Sequence, residues 1–232
     1  MEQTLPGHTE VIDGKKPLPA HRVQDVQAAE KAAREMLVAL GASDDEEVMR
    51  NTPRRMVQAY KEFFTPQPFH PTVFDNHDGY DELVVAYAIP FRSICEHHFL
   101  PFIGTASVGY IPGAHIIGLS KLARAVEFCA SRPQVQERLV VQIADWLEEN
   151  LQPRGIGVVL EAEHTCMTLR GVRSRGARTR TSALRGLVRS SGKLRAEFMA
   201  LALHGASPGG VVPPPPWDGP DSDDDWAGGA DH

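Results

Sequence analysis

The sequence predicts an α+β domain built on an antiparallel sheet, and three observations carry that expectation. Apolar residues recur with helical period over residues 23–40 and again over 135–147. Residues 83–94 and 102–111 read as one pair of strands, and 156–162 with 165–172 as a second. Strands grouped in pairs, with helices between the pairs, point to segregated elements rather than to an alternating parallel fold.

Each element has its own local reason. Residues 1–22 are polar, carry Gly14, Pro17 and Pro19, and read as a loose arm. Val23, Val26, Ala29, Ala33, Met36, Leu37 and Leu40 make a helical stripe that Gly41 stops. A second helix is expected over 53–64, with Thr52 as its cap and Pro53 at its first position. In the strand over 83–94, Pro90 points to an edge or a bend. The strand over 102–111 closes at Pro112-Gly113, and a helix follows from Ser120 with Leu119, Leu122, Ala123 and Val126 on one side. Pro133 is expected to open the next helix, whose stripe is Val135, Leu139, Ile143, Trp146 and Leu147 and which Pro153 and Gly155 end. The second strand pair and a last helix over 193–203 complete the domain, placed at 23–206. The expected sheet has four strands, a helical pair inserted between its two hairpins, and helices on one face. Its two open edges would be removed by closure in an oligomer. Residues 207–232, with Pro213–Pro216 followed by Asp, Gly and Ala, read as a disordered tail.

Composition narrows the function classes. A chain of 232 residues with 42% hydrophobic content can bury one good core. No run approaches the length of an apolar membrane span, and the start lacks a basic segment followed by an apolar one, so a cytoplasmic protein without a membrane partner is expected. Three cysteines, an odd number, suit a reducing compartment in which thiolates can serve a metal. The net charge of −6 is matched by six aspartates after Ser207, in a stretch without Lys or Arg, so the body is formally neutral. Nine Lys and Arg residues lie between Arg170 and Arg195 with no acid among them. Without aromatic residues or a reading helix beside it, that stretch reads as a solvated face and not as a nucleic-acid surface.

Chemistry concentrates in Cys95-Glu-His-His98 and His164-Thr-Cys166. A Cys-x-x-His step on a tight turn lets both side chains converge on one ion. His164 and Cys166, one residue apart, would share a face of a strand. Cys95, His98 and Cys166 would form a Cys₂His set for one Zn²⁺ with its fourth position open, the pattern of catalytic zinc. His97 and His164 stay nearby for proton transfer. Any one of these residues alone reads as easily as a buried apolar thiol or a hydrogen-bonded histidine, and the joint pattern is what favours a metal. Cys129, among Val126, Phe128 and Ala130, reads as core.

Residues 93–98 (Ser-Ile-Cys-Glu-His-His), 109–112 (Gly-Tyr-Ile-Pro), 118–121 (Gly-Leu-Ser-Lys) with Arg124, 134–139 (Gln-Val-Gln-Glu-Arg-Leu) and 164–171 (His-Thr-Cys-Met-x-x-Arg-Gly) closely resemble GTP cyclohydrolase I, in order, over roughly residues 25–203. The resemblance implies a tunnelling fold closing into an oligomeric barrel, a homodecamer with active sites between subunits. It implies hydrolysis and rearrangement of GTP to 7,8-dihydroneopterin triphosphate and formate, the first step of tetrahydrofolate or pterin biosynthesis. Zn²⁺ on Cys95, His98 and Cys166 would lower the pKa of water to about 7, supplying a nucleophile for carbon 8 of guanine. His164 would be the acid at nitrogen 7 and His97 a second acid/base. Glu137 would accept from the guanine ring N–H and amine, with Gln136 near the ribose or base. Lys121 and Arg124, three apart on one helix, would meet the triphosphate with Arg170, expected on the face of Cys166 four residues further along the same strand. Ser120 would act in ribose opening, and Arg55 would reach over from a neighbouring subunit. Arg173, Arg175, Arg178 and Arg180 depart from the family's small or Thr-rich pattern, and solvent exposure is the expectation for them. Two alternatives stand beside this reading: a related tunnelling-fold pterin or deazaguanine enzyme, which would use three histidines or a nucleophilic cysteine, and an inactive homologue. No regulatory partner is legible.

Overall fold

A computed structural model describes residues 24–204 apart from Asp44 and Pro68. The loose arm and the acidic tail expected at the two ends lie outside the described residues. Two helices lead. The first, α1 (Val26–Ala39), is capped by Asp25, whose side chain accepts from Ala28 N at 3.0 Å. The second, α2 (Glu46–Phe64), begins well before the expected Thr52, because Asp45 takes the backbone N–H groups of Glu47 and Val48. Pro53 therefore lies inside the helix, where it cannot donate to the carbonyl of Met49. Arg34 from α1 fills that vacancy with a bond from Nη1 to Met49 O at 2.7 Å.

The sheet follows. A short strand β1 (Val73–Asp75) precedes β2 (Val84–Cys95), β3 (Pro101–Ile111) and a short β4 (His115–Ile117), and β1 pairs with β4 in a separate ribbon. This ribbon, absent from the sequence expectations, steadies the entry to α3 (Leu119–Ala130), where Gly118 N donates to Thr72 O at 3.0 Å. Leu122, Ala125, Val126, Cys129 and Ala130 are the buried residues of α3, whereas Leu119 and Ala123 are exposed, contrary to the expected stripe. Pro133 does not open a helix. With Gln134 it forms β5 (Pro133–Gln134), parallel to the end of β2, and α4 (Gln136–Leu151) starts two residues later.

After β6 (Gly155–His164) comes the largest departure. The expected strand over 165–172 is a helical turn, α5 (Thr165–Thr168), and a loop; the true fourth long strand is β7 (Thr179–Arg185). The apolar residues Leu169 and Val172, which made the stretch look like a strand, are each 76% exposed. Gly171 and Arg173 take positive φ and turn the chain. Two helices end the described chain, α6 (Gly186–Ser190) and α7 (Gly192–His204).

The main sheet has five strands in the order β5-β2-β3-β6-β7, antiparallel except for the β5–β2 pair. Near Pro90 the β2 register shifts between Ala86 and Ile89, with Ala88 at φ 54°, and the outer side of β2 is paired only at Ile94 and Cys95; Pro90 marks both a bend and an edge. The main core, including Phe102, Val108, Tyr110, Leu122, Val126, Leu139, Ile143, Leu147 and Leu160, lies between the sheet and α3 and α4. The other face is not bare as expected. There Phe198 of α7 is buried with Ile111, Val159 and Val188. Phe198 fits because Gly109 and Gly157 leave a slot: an added Cβ would stand 2.9 Å and 2.5 Å from its ring. Gly157→Ala should therefore destabilise the fold by about 1–3 kcal/mol through overpacking. Gly192→Ala, with nothing within 4 Å, should be neutral; denaturant titration of the two variants checks the contrast.

Candidate active site

The Cys95 step is built at the reversal between β2 and β3. Cys95 N donates to Leu100 O and Phe99 N to Cys95 O, each at 2.8 Å, and Phe99 takes a φ of 55° to complete the turn. Side chains hold this turn from two directions. Glu96 is ion-paired with Arg138 Nη2 at 2.8 Å, while Arg138 Nε donates to Gln134 Oε1 at 3.0 Å. From α2, Tyr60 donates its hydroxyl to Phe99 O at 2.9 Å and lays its ring 5.0 Å from the Phe99 ring. Glu96, Arg138 and Tyr60 were not legible as supporting residues, because each acts through a partner distant in sequence.

Register brings the second step alongside. Ile94 is opposite Pro101 in the β2–β3 pair, and Phe102 is opposite His164 in the β3–β6 pair. The ligand atoms of Cys95, His98 and Cys166 all lie within 4.8 Å of one another, with Cys95 Sγ 3.8 Å from His98 Nδ1. Among the described residues no other trio of His, Cys, Asp or Glu converges in this way. The convergence is the expected one, but its route differs. Cys166 arrives on α5, which Thr165 anchors by donating to Pro101 O at 2.6 Å, and not on a strand shared with His164.

The donor set fits a metal. Burial pushes the Cys166 thiol up, and the adjoining Cys95 adds to the shift. Two neighbouring, poorly hydrated thiols resist ionising together until a cation sits between them. Two sulfurs and one imidazole are a zinc-type set, and three ligands leave the fourth position open. Cys129 is fully buried in the core, as expected, and burial pushes its thiol up to about 12.

His164 ends β6 with its ring stacked on Phe102, centroids 4.5 Å apart and planes 7° apart. Burial lowers its pKa, opposed by the charge of Glu137. Its Nε2 lies 2.8 Å from Gln136 Oε1. Gln136, expected beside the ribose or base, is buried within the protein and bonded to β6 and β7. Glu137 beside it is exposed at the start of α4. His97 is exposed, its ring meeting that of His98 edge-on at 6.3 Å.

The expected phosphate-binding residues lie on three separate elements. Ser120, Lys121 and Arg124 occupy the beginning of α3, Arg55 is exposed on α2, and Arg170 is exposed in the loop after α5. Arg170 thus shares no strand with Cys166, which corrects that expectation. Among the described residues none of Lys121, Arg124, Arg170 and Arg55 appears in an ion pair. Arg173, Arg175, Arg178 and Arg180 are exposed, as expected, and Arg178 and Arg180 in addition pair with Glu161, whose side chain is only 14% exposed; the Arg178 bond is 3.2 Å. The basic stretch is thus partly neutralised within the sheet.

Fold and cluster together define an α+β protein with a three-ligand group suited to metal-assisted catalysis. The model of the family described as GTP cyclohydrolase I matches residues 29–203. "GTP cyclohydrolase 1" of Mycobacteroides abscessus is 48% identical over 193 residues, covering 80% of this chain and 94% of that relative. The proteins of that name from Mycobacterium leprae (strain Br4923) and Corynebacterium aurimucosum are also 48% identical, covering 81% and 79% of this chain and 94% and 96% of theirs. A solved structure, the archaeosine synthase QueF-Like in the apo form, is 16% identical with a TM-score of 0.37, covering 46% of this chain and 94% of its own, too slight a likeness to bear on the fold. The chain belongs to the GTP cyclohydrolase I family and is an enzyme of that hydrolase class.

Thiol chemistry checks the site. In metal-free protein, native alkylation at mildly alkaline pH should label Cys95 or Cys166 well before Cys129, and added Zn²⁺ should protect them. Peptide mapping by mass spectrometry reads the order.

Proposed function

We propose that the chain converts GTP and water to 7,8-dihydroneopterin triphosphate and formate on a Zn²⁺ held by Cys95, His98 and Cys166. The observation that carries this is the convergence of those three donors beside His164, at one end of the sheet. A zinc ion there would act as a Lewis acid and lower the pKa of water in its open position to about 7.

The chain's own residues do the rest. Carbon 8 of guanine becomes electrophilic when nitrogen 7 takes a proton, and His164 is the donor. A ring held by stacking and by one hydrogen bond loses little orientation on reacting. His97 is the second acid/base for ring opening and formate release. Glu137, an exposed carboxylate whose charge opposes the burial that lowers the His164 pKa, accepts the ring N–H and exocyclic amine of guanine, a pairing that adenine cannot offer. Lys121, Arg124 and Arg170 meet the triphosphate, helped by the N-terminal dipole of α3. Ser120 serves the ribose as its ring opens and rearranges. Two sulfurs in the donor set favour this reaction over the related pterin and deazaguanine enzymes, which use three histidines or a nucleophilic cysteine.

The assembly reading is a tunnelling-fold barrel closed by several copies into a homodecamer, with Arg55 crossing to a neighbouring active site. In its support, β2 is paired on its outer side only at Ile94 and Cys95, and β7 stands at the other end of the strand order. No helix among the described residues is long and apolar enough to cross a membrane, and a cytoplasmic setting is part of the same reading.

Purified protein given GTP, then oxidised, should produce pterin fluorescence together with formate. A chelator and Cys166→Ser should each abolish both signals. His164→Ala should lower turnover by about 10²–10⁴-fold, and normal fluorescence from that variant would remove His164 from its role. Glu137→Gln should raise KM for GTP and weaken the preference for guanine over adenine, read from competition by ATP.

A further inference from the structure

Gln136 is 2% exposed at the first residue of α4, and its amide is committed on both ends. The nitrogen lies 3.0 Å from Thr179 O, 3.3 Å from Leu160 O and 3.1 Å from Thr181 Oγ1. Backbone carbonyls only accept, so the –NH₂ end must face them. Turning the amide over would set Oε1 against two carbonyl oxygens at a buried position. Oε1 therefore faces His164 Nε2, at 2.8 Å, and an amide oxygen can only accept.

We propose that Gln136 is a positioning residue that fixes His164 as the Nε2–H tautomer, leaving Nδ1 as the atom that exchanges protons with the purine. This rests on the reading of His164 as proton donor. A neutral imidazole has one N–H, so with Nε2 protonated the lone pair is on Nδ1. When the ring is charged, the Nδ1 proton is the one transferred. It passes to purine nitrogen 7, the N–H bonding pair stays on Nδ1, and the ring returns to neutral Nε2–H until water reprotonates it. Stacking on Phe102 opposes the ring flip that would exchange the two nitrogens. The bonds that orient Gln136 come from β6 and β7, so a strand with no reacting residue sets the tautomer of one that reacts.

The test uses full-length, zinc-loaded protein with ¹⁵N-labelled histidine, the His164 signals being those missing from His164→Ala. At a pH where the ring is neutral, the expected spectrum has a protonated, hydrogen-bonded Nε2 and an unprotonated Nδ1. A protonated Nδ1 in the wild-type chain overturns the proposal. In Gln136→Ala both tautomers should appear. Turnover should fall about 10–100-fold with zinc content unchanged and KM for GTP within about 2-fold. A KM raised about tenfold at unchanged kcat would make Gln136 a substrate contact and overturn the proposal. The wild-type spectrum needs neither GTP nor a folded Gln136→Ala chain. A chain that forms no pterin from GTP refutes the proposed reaction, and the spectrum still decides the tautomer.

Discussion

Strand register is the constraint on which the site depends. Ile94 opposite Pro101 and Phe102 opposite His164 bring the ends of β2, β3 and β6 together at one end of the sheet. Cys95 closes one of those strands and His164 closes another, with Cys166 two residues on. A slip by one residue in the β3–β6 pair would reverse which side chains face the core, moving Phe102, Ala106 and Val108 out of it. The geometry of the donor group is thus maintained by the same apolar alternation that holds the sheet against α3 and α4. Stability and chemistry share one set of contacts.

Around that junction the supports come from different parts of the chain. Arg138 and Gln134 hold the Cys95 turn from the α4 side, Tyr60 holds it from α2, and Thr165 ties α5 to the first residue of β3. None of these bonds lies within a single helix or hairpin. Several weak, independent restraints fix a turn better than one strong one, since each removes a different direction of motion. Arg185, joined to Asp145 and Glu148, similarly ties β7 to α4, the helix that carries Gln136 and Glu137.

The donor group was legible because chelation imposes short local spacings, Cys-x-x-His and His-x-Cys, that survive in the linear text. The apolar stripe of α4 and the strands β2, β3 and β6 were legible because each covers a core face. What stayed hidden had no local signature. In β7 the one buried apolar residue is Ala183, so the strand shows almost no alternation, whereas exposed Leu169 and Val172 mimic one. The role of Gln136 depends on carbonyls 24 and 43 residues away, which no window along the chain contains. Thr52-Pro53 looked like a helix start because the compensating group, Arg34, belongs to another helix.

That last substitution of a side chain for a backbone donor changes what kind of object α2 is. Cut out as a peptide, the segment would fray at its proline, for nothing local replaces the lost bond. Within the protein its continuity is a tertiary property borrowed from α1. Everything downstream of the proline on that helix, Arg55 and Tyr60 included, is therefore aimed by a guanidinium that belongs to another helix.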